Sequence, residues 1–129
     1  MPIYFSEITV TESDIDELNH VNNIRYIEWV LDVAIAHWKK NVTSEIDANY
    51  FWLLLKHCIE YKSEAFLNDV IVIKTYIEKA EGVRSTRIVE ITNKHTQKLI
   101  AKSETTWCLM HSETKRPVRI TKAIKDLFR

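Results

Sequence analysis

The chain contains one glycine, Gly82. Loops that cradle phosphate on closely approaching glycine backbone, such as the P-loop and the dinucleotide fingerprint, are therefore excluded. Cysteine is almost as scarce. Cys58 and Cys108 each stand in an apolar, strand-like run. Two cysteines give no zinc spacing, and the expectation is that both are reduced and packed in the core. No charge sign dominates: 18 Lys+Arg stand against 18 Asp+Glu. The basic residues are scattered rather than striped, which argues against nucleic acid as a partner. No apolar run approaches the roughly 20 residues of a membrane span. Residues 1–20 also lack the charged start and apolar core of a signal peptide. The expectations are no membrane partner and a cytoplasmic setting. Without a secretory signal, the Asn41-Val42-Thr43 sequon reads as chance.

What is present suits a folded domain. Of 129 residues, 46% are hydrophobic and 28% charged, enough for a core and too apolar for disorder. There is no linker, repeat or low-complexity stretch, so residues 1–129 read as one domain. Residues 3–12 predict a first strand. A helix is expected from about Asn22 to Lys40, with Asn22 as its cap and Val21 stapled to Tyr26. Ile24, Ile27, Leu31, Ala34, Ile35 and Trp38 form one apolar stripe on it. Tyr26, Val30, Val33 and His37 form another. Apolar residues over most of the circumference predict a buried helix.

Residues 41–51 read as a loop. Strands are expected over 52–63, 70–78, 83–92 and 98–111, with turns at Glu81-Gly82 and Asn93-Lys94. Ile71, Ile73, Thr75 and Ile77 alternate with Val70, Val72, Lys74 and Tyr76, and Val83, Ser85, Arg87, Val89 and Ile91 share a face. On the last strand Ala101, Ser103, Thr105, Trp107 and Leu109 share a face. A short helix over Thr121–Phe128 ends the order. Strands grouped after one long helix make an α+β fold.

The chemistry concentrates in Ser13–Trp29, S-D-I-D-E-L-N-H-V-N-N-I-R-Y-I-E-W. Asp16 stands four positions before His20, and an H-V-N-N turn leads into the helix. This order can set a carboxylate and an imidazole at a helix N-terminus. Unpaired backbone N–H groups and the positive end of the dipole lie there. A base, a polar partner and oxyanion donors are what acyl transfer needs. A carboxylate beside an electrophilic carbonyl can act as general base or as nucleophile. The backbone N–H of Asn23 is the candidate oxyanion donor. The side chains of Asn22 and Asn23 read as caps. His57, His95 and His111 have no ligand spacing and read as ordinary strand or turn residues.

Asp14, Asp16, His20, Val21, Asn22, Asn23 and Tyr26 match the pattern D-x-D-x-x-x-H-V-N-N-x-x-Y. In this the chain resembles the hotdog-fold thioesterases, particularly bacterial long-chain acyl-CoA and plant-type acyl-ACP enzymes. The resemblance implies a single hotdog domain, with a five-stranded antiparallel sheet wrapped around one long central helix. It implies Asp16 as the catalytic carboxylate, with His20 orienting it, holding water or binding the pantetheine end. Glu60-Tyr61-Lys62-Ser63-Glu64 is similar to the E-Y-[KR]-x-E of plant enzymes, which implies Glu64 as a further catalytic group. Similarity to 4-hydroxybenzoyl-CoA thioesterases likewise implies the Asn23 main-chain donor.

The chain departs from the plant pattern at two positions. Ala65 replaces a cysteine, so no cysteine nucleophile is available there. Leu18 replaces an asparagine, which breaks an Asp–Asn–His network. Asn19 stands where many relatives carry glycine, and it suits a left-handed turn. Glu113–Ile120, E-T-K-R-P-V-R-I, is similar to a late T-G-R-P-V-x-I turn that shapes the fold.

The leading expectation is a hydrolase of fatty acyl-CoA or acyl-ACP that needs no metal or organic cofactor. It would form a homo-oligomer, dimer or tetramer, by edge-to-edge pairing of sheets. The rivals are a non-catalytic acyl-thioester-binding hotdog domain and a hotdog dehydratase or hydratase.

Overall fold

The computed structural model describes residues 2–128. Strand β1 (Tyr4–Thr9) leads through a 3-10 turn (Glu12–Asp14) to helix α1 (Asn23–Asn41). Helix α2 (Ser44–Asn49) and strand β2 (Tyr50–Tyr61) follow. Strands β3 (Val70–Glu81), β4 (Arg84–Asn93) and β5 (Leu99–His111) form a meander, and α3 (Lys122–Asp126) ends the order. The sheet runs β1-β3-β4-β5-β2, antiparallel throughout, with β1 and β2 at its edges.

Helix α1 starts where the sequence predicts. The Asn22 side chain accepts the Ile24 N–H at 2.9 Å, satisfying one of the orphan donors of the first turn. The helix packs on one face of the sheet. Tyr26, Trp29, Val30 and Val33 meet Ile71 and Ile73 of β3, Val89 and Ile91 of β4, and Ala101 of β5. Each such side chain contributes about 1.5–3 kcal/mol by leaving water. A second cluster gathers Trp38, Ile77, Leu109, Ile124 and Phe128 around the helix C-terminal half. The residues expected to share a face do so, and that face turns inward: Ile71, Ile73, Thr75 and Ile77 of β3, Ser85, Arg87, Val89 and Ile91 of β4, and Ala101, Ser103, Thr105 and Leu109 of β5 are buried, whereas Trp107 is half-buried. Register shifts at Leu54/Lys56 and Ile77/Lys79 mark bulges. Bulges add local twist, which lets the long strands coil around the helix.

Three expectations are corrected. The stretch 41–51 is not an open loop: Thr43 Oγ1 caps α2 through the Ile46 N–H at 3.2 Å, and β2 begins at Tyr50. Its six residues, four of them polar, are too few to show helical periodicity, so only the cap marked this helix. Helix α1 is not buried all round. Its inward face is Tyr26, Trp29, Val30, Val33, Ala34, His37 and Trp38, whereas Ile24 is 65% exposed and Ile35 50%. Cys58 is exposed because it lies on edge strand β2 facing away from the core, while Cys108 is buried as expected. Both cysteines are free thiols.

Candidate active site

The stretch between the 3-10 turn and α1 folds into a tight loop, closed by a bridge between Ile15 and Val21. The Asp16 N–H donates to the His20 carbonyl at 3.0 Å, and the Asn19 N–H donates to the Asp16 carbonyl at 3.1 Å. Asn19 adopts φ 68°, the left-handed turn anticipated for it. These bonds bring the two ends of the Asp16–His20 segment together, so the side chains share one side.

Asp16 Oδ1 accepts the Leu18 N–H at 2.9 Å, which fixes the carboxylate through its own loop. His20 Nδ1 lies 4.0 Å from Asp16 Oδ1, and His20 Nε2 lies 3.6 Å from Glu64 Oε1. The three predicted side chains therefore stand in a row, with imidazole between two carboxylates. Both separations exceed direct hydrogen-bond length. The exposure of Asp16 (24%) and His20 (22%) leaves room for water beside them.

Glu64 reaches this row because its backbone is tied to the motif. The Val21 N–H donates to the Ala65 carbonyl at 2.9 Å, and the Ala65 N–H donates to the Tyr26 hydroxyl at 3.1 Å. Tyr26 and Ala65 are both buried. Burial raises the Tyr26 pKa, so its hydroxyl stays neutral and remains available as acceptor. Sequence reasoning placed Tyr26 on an apolar stripe and missed this role. A buried tyrosine hydroxyl always needs a partner, which was the available signal.

Asp14 is the second residue whose role the motif did not reveal. It is 5% exposed. Its Oδ2 accepts the Thr11 N–H at 2.9 Å and the Thr11 hydroxyl at 3.1 Å. Its Oδ1 accepts Arg25 Nε at 2.7 Å. Burial alone would raise its pKa, but the Thr11 and Arg25 hydrogen bonds outweigh it and hold the carboxyl below its ordinary value. Its backbone carbonyl accepts the Asn22 N–H at 3.0 Å. Asp14 thus joins the 3-10 turn to the first turn of α1.

At the helix terminus, the Ile24 and Arg25 N–H groups are taken by Asn22. The Asn23 N–H has no protein acceptor among the described residues, which is the state an oxyanion donor needs. The Tyr61 hydroxyl donates to the Asn23 carbonyl at 3.3 Å, holding that peptide from β2. His57, outside this group, pairs with Ser103 Oγ at 2.9 Å. Among the described residues, no cluster of His, Cys, Asp and Glu is arranged to hold a metal ion. No helix among them is long and apolar enough to cross a membrane.

Residues 10–128 match the family described as the thioesterase-like superfamily. The chain belongs to this superfamily. Thioester hydrolysis is the general chemistry that membership supports. A 1,4-dihydroxy-2-naphthoyl-CoA thioesterase from Synechocystis superposes with TM-score 0.85 at 14% identity, covering 98% of this chain and 96% of that one. A probable thioesterase from Escherichia coli gives 0.86 at 18% identity, covering 95% and 94%. A hypothetical protein from Staphylococcus aureus, solved in complex with CoA, gives 0.86 at 20% identity, covering 98% and 81%. At these identities the likeness is one of fold: the thioesterase-like chain has the hotdog architecture. No curated protein matches the chain.

Proposed function

We propose that this member of the thioesterase-like superfamily hydrolyses acyl-CoA or acyl-ACP thioesters, with Asp16 as general base or nucleophile. The observation that carries the reading is the convergence of Asp16, His20 and Glu64 beside a helix terminus. In the general-base form, water bonds to the thioester carbonyl carbon as Asp16 takes its proton. The carbonyl oxygen gathers negative charge and accepts the Asn23 N–H, helped by the positive end of α1. The C–S bond then breaks, the carrier leaves as a thiolate, and the proton held by Asp16 passes to it, giving the thiol and restoring the carboxylate. His20 holds water between its ring and the two carboxylates. The separations of 4.0 and 3.6 Å suit a bridging arrangement that tightens on substrate binding. The capture of CoA by the Staphylococcus aureus neighbour supports CoA as one carrier.

The reading includes a cytoplasmic homo-oligomer, dimer or tetramer, built on edge-to-edge pairing. Edge strand β2 supports it: twelve residues long, it leaves Phe51, Leu53, Leu54 and Leu55 exposed. A long apolar edge of this kind is a hazard unless it is paired. Ile24 and Ile35 of α1 would be covered at the same interface, where the substrate channel would lie.

The test is thiol release from acyl-CoAs of increasing chain length and from acyl-ACPs, with wild type and Asp16→Asn in parallel. Asn keeps an acceptor for the Leu18 N–H, so the loop should hold. Its kcat should fall at least roughly 10²-fold, the low end for a general base. Unchanged turnover in Asp16→Asn would sink the assignment and leave Glu64 as the residue to test. Saturable binding without turnover on either carrier would favour the binding-only domain.

A further inference from the structure

Under the C-terminal half of α1 the helix and sheet leave a cavity of about 360 Å³. Its walls are largely aromatic, with Trp38, Trp52, Trp107 and Phe128 among them. Arg87 lines it too, although only 5% of that residue is exposed. The inward face of β4 puts it there, two positions after Ser85 and two before Val89.

A buried guanidinium ordinarily has a carboxylate beside it, because an unpaired charge is costly to remove from water. Arg87 forms no ion pair among the described residues. Nη1 donates to His37 Nδ1 at 2.9 Å and to Thr75 Oγ1 at 3.0 Å, and both acceptors are uncharged. His37 is neutral because burial, then the Arg87 and Lys40 charges, press its pKa down to about 4. The Phe128 ring lies 5.6 Å from the guanidinium carbon. Burial lowers the Arg87 pKa to about 10, which still leaves it cationic at neutral pH. The acidic lining residue, Asp47, is exposed and accepts the Trp38 indole N–H at 3.1 Å.

Nε and Nη2 form the side-on pair of donors that matches a carboxylate. Neither has a protein acceptor among the described residues. Both belong to a side chain that lines the cavity.

We propose that this cavity binds an organic monocarboxylate, with its carboxylate on Arg87 and its apolar body against the tryptophans and Phe128. Within this chain Trp38 lies roughly 22 Å along the helix axis from Asn23, at the far end of α1 from the Asp16 row. Ile35 and Phe51 line the cavity and also belong to the proposed interface between copies, so the cavity opens toward that interface, and its occupant is tested without a thioester.

The three tryptophans of the wall provide the readout. The full chain is titrated with sodium octanoate, 1-octanol and sodium acetate, followed by tryptophan fluorescence and by calorimetry. Octanoate should bind saturably and at least about 10-fold tighter than octanol, as expected for charge-assisted hydrogen bonds. Acetate, which lacks the apolar body, should bind more weakly still. Arg87→Met keeps length and apolar bulk and should abolish the preference for octanoate. Ala34→Leu fills the wall while leaving Arg87 in place, and should weaken octanoate and octanol alike. Octanol binding as tightly as octanoate in wild type would overturn the proposal. So would absent octanoate binding, a preference that survives Arg87→Met, or octanoate affinity unaffected by Ala34→Leu. Should Arg87→Met fail to fold, the wild-type and Ala34→Leu titrations still decide.

Discussion

Arg25 Nε donates to Asp14 Oδ1 at 2.7 Å, fastening the first turn of α1 to the 3-10 turn that precedes the Asp16 loop. Asp14 is buried and Arg25 partly exposed, so the pair keeps much of its hydrogen-bond strength without the full cost of a buried ion pair. Asp14→Ala removes the acceptor for Thr11 and Arg25 together. It should cost about 2–3 kcal/mol, the scale of hydrogen bonds to a charged group, measured by urea unfolding. Because the folded pKa of Asp14 is lowered, its contribution is present above its ordinary value of 3.8. That contribution disappears as pH falls below 3.8 through the folded value. A wild type and an Asp14→Ala chain of equal stability at pH 6 would refute this.

Tyr26→Phe deletes one oxygen and no core volume. The buried Ala65 N–H loses its acceptor, which should cost about 1–3 kcal/mol. Glu64 loses its anchorage beside His20 in the same step. The control is Tyr61→Phe, whose exposed hydroxyl reaches the Asn23 carbonyl at 3.3 Å. It should stay within about 0.5 kcal/mol of wild type. Equal effects of the two substitutions would contradict the assignment of Tyr26 as the tie.

Acid should weaken the fold well above the carboxylate range. Burial, with Arg87 and Lys40 close by, puts the folded pKa of His37 at about 4 against an ordinary 6.5. Above pH 6.5 His37 is neutral in both states and has no pH effect. Between 6.5 and 4 the unfolded chain takes a proton that the folded chain refuses. Stability therefore falls as pH falls, by up to about 3 kcal/mol. Melting temperatures from pH 7 to 4.5 should show this slope. His37→Asn, which can present an oxygen to Arg87, should flatten it. An unchanged slope in His37→Asn would place the titration elsewhere.

Two turns make opposite predictions from the same backbone region. Gly82 has φ 62° and a Cβ there would meet nothing within 4 Å, so Gly82→Ala tests conformation alone. It should cost about 1 kcal/mol. Lys115 has φ 59°, in the turn where the resembling T-G-R-P-V-x-I pattern carries glycine. Lys115→Gly should gain roughly 0.5–1 kcal/mol, because it releases the left-handed penalty. Thermal melts of the two variants moving in the same direction would refute the backbone argument.

The sequence was most legible where one periodicity had one meaning. The residues that share one face of β3, β4 and β5 followed from alternation, and the structure adds that this face, Arg87 included, points inward. The start of α1 followed from Asn22. Exposure was less legible. Ile24, Ile35 and Cys58 are apolar residues on faces that this chain does not cover itself, and composition does not say which apolar faces a fold leaves open. In the candidate site, the four-residue spacing of Asp16 and His20 was readable because local turn bonds set it. Glu64 came only from resemblance. Its nearness to His20 depends on hydrogen bonds from Val21 and Tyr26 to a residue far along the chain, which no local pattern encodes.

The same ties set a timetable for synthesis. Asp16, His20 and the whole of α1 leave the ribosome before Ala65, and β1 must wait for its sheet neighbour β3, with Tyr4 opposite Thr75. Contacts so distant in sequence close late, because the loop entropy is spent before they form. The Asp16–His20 motif is thus among the first segments made and among the last to acquire its shape. A nascent chain halted before β3 emerges should carry the entire motif and have no working geometry.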